Sequence, residues 1–425
     1  MNVIDVEDQM GITFSERLPL VVEYGKGSHV WDDKGARYLD FTSGWGVTCL
    51  GHAHPVITDA ITRQASRIIQ NPNSGFTYAP PRAELLRQLN HVLPAGLRHA
   101  YFCNSGAEAN DAAIKLARKV TGRINVVSTL GSFHGRTFNT LSVSGGRHNT
   151  SRYLPILQGT CFVAHDDIDA MSSVIDQDTA AVIVEPVQGE GGVRIARPGY
   201  LSELQALCRA NGALLIVDEV QTGFCRTGRF FACGYEEESF SPDIMTMAKG
   251  IAGGLPMAAF AVSAKVNSAI QKGDHGGTFS GNPLACAVAT AVVDYLRVEN
   301  VADRVQRSGT RLLAGLRDLQ AAHAQHISAV RGIGLLTAMD VGSDQIAWDI
   351  TRACLSSGLL VTPTRNGIIR LLPSLLVEDL EIDSALNILS GVLQARSSDC
   401  GTGNATAGRS RDSRAAAASA VAAAS

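Results

Sequence analysis

Between about residues 50 and 290, short segments in which nearly every position is apolar alternate with longer segments whose apolar residues recur every three or four positions. A strand that is apolar throughout is buried on both faces, whereas the spacing of three to four is typical of helices with one buried side. The alternation therefore predicts an α/β fold with a mostly parallel central sheet covered by helices. The apolar segments are 126–127, 180–184, 213–217 and 244–247.

The pattern changes toward both ends of the chain, and these changes predict the domain organisation. Residues 1–50 contain short strand-like segments separated by turns, so we expect an N-terminal arm that is part of the smaller domain. Residues 51–290 are the expected large domain, and the further α/β pattern of 291–395 predicts a C-terminal small domain. Residues 396–425 are rich in small and polar residues, which predicts a disordered low-complexity tail.

Composition narrows the possible classes of function. The 425 residues are 45% hydrophobic and 18% charged, and the formal net charge is −3. Nucleic acid or an anionic membrane would require a clustered basic surface, so neither is an expected partner. The N-terminus lacks a signal-peptide pattern, no apolar run approaches the ~20 residues of a membrane span, and the nine cysteines show no CxxC pairing. These features favour small-molecule chemistry in the cytoplasm.

A first candidate site lies at residues 104–110, where an apolar strand-like piece ends and a helix begins. Ser105 and Glu108 have the spacing of a capping box, and Gly106 and Ala107 leave the first backbone N–H groups of the helix accessible. Such a helix start can bind a phosphate, because the N–H groups and the helix dipole both favour a negative charge. Taken alone, the segment is equally well explained as an ordinary capped helix.

Asp218 and Gln221 follow the apolar segment 213–217, at the sheet edge where ligands bind in open α/β folds. A buried carboxylate needs a cationic partner, and a protonated pyridine nitrogen is one. The alternatives for Asp218 are a loop cap or an ion pair with a basic residue. The sequence therefore offers an acid at the sheet edge, with its partner open.

Lys249 follows the apolar segment 244–247 and precedes a glycine-rich turn. Burial at the strand end would lower the pKa of this lysine, as reaction with an aldehyde at neutral pH requires. A lone lysine at a strand end is usually a solvated surface residue. The helix start, Asp218 and Lys249 together provide a phosphate site, an acid for a ring nitrogen and an amine for an aldehyde. This combination is specific to pyridoxal 5'-phosphate (PLP).

Two loops bring further chemistry to the same edge. Phe133 offers a ring that can stack on a flat cofactor, and Arg136 offers a guanidinium that can bind a carboxylate with two hydrogen bonds. Residues 185–192 add carboxylates, among them Glu190. Ordinary hydrogen bonding within the loop is the alternative for Arg136. Neither the GxGxxG nor the P-loop pattern occurs between a strand and a helix, which disfavours a dinucleotide fold.

With these motifs the sequence resembles the class III (ω-)aminotransferases over residues 17–395, especially the acetylornithine and ornithine aminotransferase branch. The resemblance implies a PLP-dependent transferase of fold type I, normally a homodimer with active sites at the subunit interface. It also implies two small-molecule substrates, an amine donor and a 2-oxo acid acceptor. The matching segments are 104–108, 133–136, 218–223, Lys249 and 281–285.

The resemblance implies a role for each matching residue at the cofactor. Lys249 is expected to link to the cofactor aldehyde and to move a proton, Asp218 to pair with the ring nitrogen, and Gln221 to donate a hydrogen bond near the ring hydroxyl. Thr278 resembles the threonine that reaches the phosphate of the cofactor in the partner subunit. Phosphate contacts are expected from Ser105, Gly106 and Ala107, and ring stacking from Phe133.

The same resemblance implies how substrates are bound. Arg370 resembles the arginine that takes the α-carboxylate of glutamate or 2-oxoglutarate, and Glu190 the acid that pairs with it while an ω-amine is bound. Arg136 favours a donor that carries a carboxylate, because a guanidinium without an anion is costly in a closed pocket. We therefore expect an acetylornithine-like ω-amino acid to give its terminal amino group to 2-oxoglutarate. The expected products of this ping-pong reaction are a semialdehyde and glutamate.

Three departures from the closest family members leave the donor open. Trp45, a candidate substrate-binding residue, stands where acetylornithine enzymes carry small aliphatic residues and is typical of diamine-using relatives. Residues 14–17 lack the tyrosine of ornithine enzymes, and Gly277 replaces a hydroxyl residue. The alternatives are a putrescine-like diamine or 4-aminobutyrate aminotransferase, an aminomutase or decarboxylase on the same fold, and a non-catalytic paralogue. Intact Lys249 and Asp218 argue against the paralogue.

Overall fold

The computed structural model describes residues 1–73, 75–146, 151–154, 156 and 158–403. The strands are β1 (Val22–Lys26), β2 (His29–Asp32), β3 (Arg37–Asp40), β4 (Leu97–Cys103), β5 (Asn125–Thr129), β6 (Thr160–Val163), β7 (Thr179–Val184), β8 (Val187–Gln188), β9 (Arg194–Ile195), β10 (Leu214–Asp218), β11 (Ile244–Met247), β12 (Ala258–Ser263), β13 (Ala329–Ile333), β14 (Leu336–Asp340), β15 (Leu359–Leu360), β16 (Thr362–Thr364) and β17 (Ile368–Leu371).

The α-helices are α1 (Val3–Met10), α2 (Pro55–Ala65), α3 (Pro80–Asn90), α4 (Gly106–Thr121), α5 (Phe138–Val143), α6 (Ile168–Val174), α7 (Tyr200–Asn211), α8 (Ala264–Ser268), α9 (Pro283–Val298), α10 (Val301–Ala322), α11 (Asp344–Ser356) and α12 (Asp379–Gly403). None of the helices in the described segments is both long and apolar enough to span a membrane.

Within the described residues, a seven-stranded central sheet has the strand order β4, β12, β11, β10, β7, β5, β6. β10 runs parallel to β7 and β11, and β5 runs parallel to β6 and β7, whereas β12 is antiparallel to both of its neighbours. The predicted apolar segments lie in β5, β7, β10 and β11, and every position of β7, β10 and β11 is buried. The predicted α/β fold with a mostly parallel sheet is confirmed.

Helix α4 shows how local sequence places an element beside the sheet. Alanines recur at every third or fourth position of its buried side and let the helix pack closely against the strands. Ser105 caps the helix by accepting a hydrogen bond from the Glu108 N–H, and Gly122 ends it with φ of 69°. The Glu108 carboxylate instead accepts from the backbone and side-chain nitrogens of Asn104, at 2.8 and 3.0 Å. The predicted capping box is therefore only half formed, because Asn104 offers two donors.

Two smaller sheets connect the ends of the chain. One has the order β1, β2, β3, β15 and the other the order β13, β14, β17, β16. In the first, β3 pairs in parallel with β15, which joins the N-terminal arm to the C-terminal part of the chain. The assignment of residues 1–50 to the smaller domain and the boundaries of 51–290 and 291–395 remain predictions.

The C-terminal helix differs from the prediction. α12 continues to Gly403, so residues 396–403 are helical and are not part of a disordered tail. A guanidinium nitrogen of Arg396 lies 3.8 Å from an Asp349 carboxylate oxygen, and the Ser397 hydroxyl contacts His326 at 2.9 Å. Composition does not show these tertiary contacts. The rest of the predicted tail, 404–425, lies outside the described residues.

Candidate active site

A cavity of about 470 Å³ opens where β7, β10 and β11 end. Its wall is built from several segments that are far apart in the chain and that the strand order brings together. Arg370 does not line this cavity, but it contacts the wall residue Glu190. The sequence-predicted residues on the wall are Ser105, Gly106, Ala107, Phe133, Arg136, Glu190, Asp218, Gln221 and Lys249.

The start of α4 forms one side of the cavity. Ser105 has an extended backbone conformation, and the N–H groups of Gly106 and Ala107 belong to the first turn, which has no intrahelical acceptors for them. A Cβ atom at Gly106 would lie 2.9 Å from a Val220 methyl group. Glycine is therefore required here, because the helix start lies tightly against the chain that follows Asp218.

Asp218 lies at the end of β10 with only 3% of its surface exposed. Its Oδ2 accepts hydrogen bonds from Asn110 Nδ2 and His134 Nδ1, both at 2.7 Å, and its Oδ1 accepts from the Val220 N–H at 2.9 Å. Asn110 and His134 are themselves buried. The position of the carboxylate is thus set by three donors from three different segments.

Lys249 follows β11 and is half-buried in the cavity wall. Burial lowers the pKa of Lys249 to about 8; the charge of Glu190 opposes this shift, and the nearby cation Arg370 adds to it. The backbone of Lys249 has φ of 48°, an uncommon conformation for a residue with a side chain. The amine is therefore held in a strained turn and is partly neutral near neutral pH.

Arg370 on β17 is 1% exposed and forms an ion pair at the edge of the cavity. Its Nη1 donates to Glu190 Oε1 at 2.6 Å and to Gln221 Oε1 at 3.2 Å. Burial acts to raise the pKa of Glu190, but the charges of Arg370 and Lys249 outweigh it and leave this pKa below the usual range. Glu190 is therefore ionised and neutralises Arg370 across the cavity edge.

Arg136 and Phe133 lie on a wall shared with a second cavity of about 260 Å³. The guanidinium carbon of Arg136 lies 5.8 Å from the centre of the Phe133 ring. Among the described residues, no carboxylate lies within ion-pair distance of Arg136. This exposed guanidinium can therefore take a carboxylate from a ligand.

Glu185 is a buried carboxyl group on the same wall, just after β7. It accepts hydrogen bonds from the backbone N–H groups of Phe133 at 2.9 Å and Gly189 at 3.3 Å. Burial raises the pKa of Glu185 to about 7, and the charge of Asp218 acts in the same direction, while His134 opposes it. One carboxyl group thus connects the backbone of the aromatic wall to the loop that carries Glu190.

Comparison with known proteins connects this geometry to a family. The family model described as aminotransferase class-III matches residues 13–393. This chain belongs to the class III aminotransferases. The acetylornithine aminotransferase of Methanopyrus kandleri is 41% identical to it over 398 residues, which cover 93% of this chain and 100% of the relative. That of Streptomyces coelicolor is 41% identical over 378 residues, covering 89% of this chain and 91% of the relative.

A solved structure gives the same answer for the fold of this class III aminotransferase. The ornithine aminotransferase from Toxoplasma gondii ME49 superimposes with a TM-score of 0.87 at 33% sequence identity. The match covers 93% of this chain and 95% of that one. A second crystal structure of the Toxoplasma enzyme is described as having partial occupancy of PLP at the active site.

Class III aminotransferases use PLP, and the cavity fits this cofactor. The helix start at Ser105 offers backbone donors for a phosphate, and Lys249 offers an amine of lowered pKa for an aldehyde. Two buried nitrogens on the wall, His134 Nε2 and Gln221 Nε2, have no partner among the described residues. Polar atoms of this kind need a ligand or water to satisfy them.

Two predicted residues of the aminotransferase lie away from the cavity of their own chain. Trp45 is 51% exposed and has φ of 66°, in a turn from Ser43 to Gly46 where every φ is positive. Thr278 is exposed in the loop before α9, and its carbonyl accepts a hydrogen bond from Gln70 Nε2 at 2.6 Å. The expected role of Thr278 at the site of another subunit stays a prediction. The structure does not bring Trp45 to the cavity wall.

Sequence reasoning missed two buried polar residues beside Asp218. Asn110 contacts Asp218 directly, and Thr246 Oγ1 donates to Asn110 Oδ1 at 2.6 Å. Both carried a signal in the sequence. Asn110 interrupts the small apolar side of α4, and Thr246 is the single polar residue within the apolar strand β11. A polar residue at a position that must be buried indicates a hydrogen-bonded partner.

Proposed function

We propose that this aminotransferase moves the terminal amino group of an acetylornithine-like ω-amino acid to 2-oxoglutarate, giving a semialdehyde and glutamate. The observation that carries this proposal is the Arg370–Glu190 ion pair at the edge of the cavity that contains Lys249. A donor that carries an amine but no carboxylate at its reacting end leaves the Arg370–Glu190 ion pair intact. A substrate with an α-carboxylate beside the reacting carbon, such as glutamate, displaces Glu190 from Arg370. One cavity can therefore accept two kinds of substrate in alternation.

In this proposal, residues from three segments would hold the cofactor. Asp218 would pair with the ring nitrogen, Gln221 would donate to the ring hydroxyl and Phe133 would stack on the ring. When bound, PLP supplies an electron sink for the carbon that carries the amino group. The phosphate is bound by Ser105, Gly106 and Ala107.

With PLP bound, Lys249 would supply the amine for the cofactor aldehyde and would be the base that holds and moves a proton beside the substrate. Its pKa of about 8 supports both tasks, because a base that works near neutral pH must be able to hold and release a proton there. The proximity of Arg370 and the burial of the amine are what keep this pKa low. Glu190 does not need to donate a proton in this mechanism, because Lys249 carries out the proton transfer.

Arg136 binds the carboxylate of the donor at the far end from its reacting amine. Its position on the wall of both cavities, without a carboxylate partner among the described residues, supports this role. A diamine such as putrescine would leave the guanidinium without an anion. The diamine alternative rested on Trp45, whose side chain is half exposed outside the cavity, so the carboxylated donor is the better supported choice.

A homodimer with shared active sites is part of the proposal. Large apolar side chains are exposed on two loops, with Phe76 92% and Phe279 64% accessible. The loops are joined by the hydrogen bond between Gln70 and Thr278. Exposed apolar groups in one area are typical of an association surface, and light scattering should therefore give twice the mass of one chain.

A half-reaction screen tests the donor. N-acetylornithine, ornithine, lysine, 4-aminobutyrate, putrescine and β-alanine are each mixed with the PLP-loaded enzyme, and the absorbance of the bound cofactor is followed. We expect N-acetylornithine to react fastest, and Arg136→Ala to slow this reaction by about 100-fold, as for loss of a charged hydrogen-bonding partner. Arg209→Ala, which removes an exposed arginine on α7, is the matched control. Fastest reaction with putrescine would contradict the proposal.

A further inference from the structure

We propose that Asn110, held in place by Thr246, is a positioning residue that keeps the Asp218 carboxylate aligned with the cofactor ring nitrogen and maintains the positive charge of that nitrogen. This inference rests on the role assigned to Asp218 under the proposed function. It adds Asn110, which lines the cavity, and Thr246, which lies behind it and is not part of the cavity wall. Thr246 is fully buried, and Asn110 is 1% exposed.

The hydrogen bonds of Asn110 leave its side-chain amide one possible orientation. Nδ2 donates to Asp218 Oδ2 at 2.7 Å and to the His134 carbonyl at 2.8 Å, and neither of these acceptors can donate in return. Oδ1 is left to accept from Thr246 Oγ1 at 2.6 Å. A rotated amide would place Oδ1 against two acceptor oxygens and Nδ2 against the hydroxyl. The two acceptors therefore fix which end of the Asn110 amide meets Asp218, and the Thr246 hydroxyl holds the other end by donating to Oδ1.

The same contacts decide which oxygen of Asp218 remains available. An ionised carboxylate has about four acceptor positions, two on each oxygen. Oδ2 already accepts from Asn110 and His134, and Oδ1 accepts only from Val220. The remaining position is on Oδ1. A donor on the cofactor ring would therefore meet Asp218 at this position.

The network joins four separate parts of the fold, which explains why no short motif contains it. Asn110 comes from α4, Thr246 from β11, Asp218 from β10 and His134 from the loop after β5. β10 and β11 are neighbours in the sheet, with Asp218 opposite Thr246 in the register. A change at Thr246 therefore reaches Asp218 through Asn110 without altering a residue of the cavity wall.

The matched variants Thr246→Val and Thr246→Ser test this inference. Valine keeps the shape of threonine without the hydroxyl, whereas serine keeps the hydroxyl. Reconstituted with PLP, Thr246→Val should lose about tenfold in the rate of the half-reaction and should bind PLP about tenfold more weakly, as expected for one hydrogen bond in a charged network. The pH midpoint of the absorbance of the bound cofactor should shift as well. Thr246→Ser should stay within about threefold of the wild type.

A PLP analogue methylated on its ring nitrogen separates positioning from general structure, because its ring carries a permanent positive charge. With this analogue, wild type and Thr246→Val should differ by less than about threefold. A tenfold difference that persists with the analogue, or an unshifted absorbance midpoint with PLP, would overturn the inference. Asp218→Asn is run in parallel: if it keeps full activity with PLP, the role of Asp218 in the proposed function fails instead. Asn110→Ala provides a second test. It should show the same losses as Thr246→Val, while its urea midpoint stays at the wild-type value.

Discussion

Two buried arginines lie near each other and are held in different ways. Arg226, where the chain after β10 meets the turn before β14, donates from Nη1 to the carbonyl oxygens of Leu335 at 3.0 Å and Pro373 at 2.6 Å. Arg370, at the cavity edge, donates to side-chain oxygens of Glu190 and Gln221. Burial lowers the pKa of Arg226 to about 10. The two residues are similarly buried, at 3% and 1% exposure. They differ in their hydrogen-bond partners, which are backbone carbonyls for Arg226 and side-chain oxygens for Arg370.

The hydrogen-bond partners of a buried arginine indicate whether it stabilises the fold or binds a ligand. Backbone carbonyls cannot leave, so Arg226 permanently joins the chain after β10 to the smaller sheets. Side-chain oxygens can rotate away, so in the proposed function Arg370 exchanges Glu190 for a carboxylate of the substrate. Breaking a buried pair by removing one partner costs several kcal/mol, whereas exchanging one anion for another costs little.

The largest effect should come from Arg370→Met. Loss of the guanidinium leaves the α-carboxylate of glutamate without a partner, and kcat/KM of the glutamate half-reaction should fall by about 1,000-fold. The N-acetylornithine half-reaction should fall much less, because its reacting end presents no carboxylate to Arg370. Stopped-flow measurement of both half-reactions checks this. Equal losses in the two would show that Arg370 does not exchange partners.

Arg226→Met should instead act on stability. Two buried carbonyl oxygens lose their donor, which costs about 1–3 kcal/mol each, partly offset by removal of a buried cation. We expect the free energy of unfolding of the apoenzyme, measured with urea, to fall by about 3 kcal/mol. The ratio of the two half-reactions should stay at the wild-type value. A change in this ratio toward that of Arg370→Met would erase the distinction between the two arginines.

Glu185 shares a feature with each of the two arginines. Like Arg226 it is held by backbone groups, and like the Arg370 pair it can change state, in this case by gaining or losing a proton near neutral pH. Its pKa is raised from 4.5 to about 7 in the folded protein, so between these pH values the folded chain binds more protons than the unfolded chain. The contribution of this carboxyl group to the free energy of unfolding therefore falls as pH rises, by at most about 3 kcal/mol. Urea titrations of apoenzyme and Glu185→Gln at pH 5 and pH 7.5 should differ in this direction, and parallel pH profiles would refute it.

Glu190→Gln tests the exchangeable partner itself. Glutamine cannot neutralise Arg370 while an ω-amino donor is bound, so the kcat/KM of the N-acetylornithine half-reaction should fall by about tenfold. The glutamate half-reaction should be unchanged or faster, because no carboxylate competes for Arg370. The selectivity of the enzyme should thus move about tenfold toward glutamate. An equal change in both half-reactions would count against the exchange.

The smallest effect should come from an exposed pair. Arg197 donates to both carboxylate oxygens of Glu203, at 2.6 and 2.7 Å, yet its side chain is 41% exposed. Solvent screens such pairs, so Arg197→Ala should leave the urea midpoint unchanged within error. A loss of stability as large as that of Arg226→Met would show that hydrogen-bond geometry contributes more than burial to the strength of such a pair.

Several elements were predictable because local interactions determine them. The short apolar segments were expected to be buried on both faces, and they lie in or directly beside β5, β7, β10 and β11. Asp218 and Lys249 follow such strands directly, so their position at one sheet edge followed from the pattern. The tail was predicted less well, because the contact of Arg396 with Asp349 depends on how α11 and α12 pack.

The sequence by itself determined the α/β class and the family, and it predicted the residues of a PLP site, since short motifs at strand ends carry this information. Only the tertiary structure decided which side chains meet. Glu190 and Arg370 are 180 positions apart, and Asn110 and Thr246 are 136 apart. These contacts depend on strand order and on the packing of α4, β11 and β17, which no local pattern specifies. The position of Trp45 also depends on the tertiary structure. Its side chain is exposed on a left-handed turn, although its residue type alone favoured a place in the pocket.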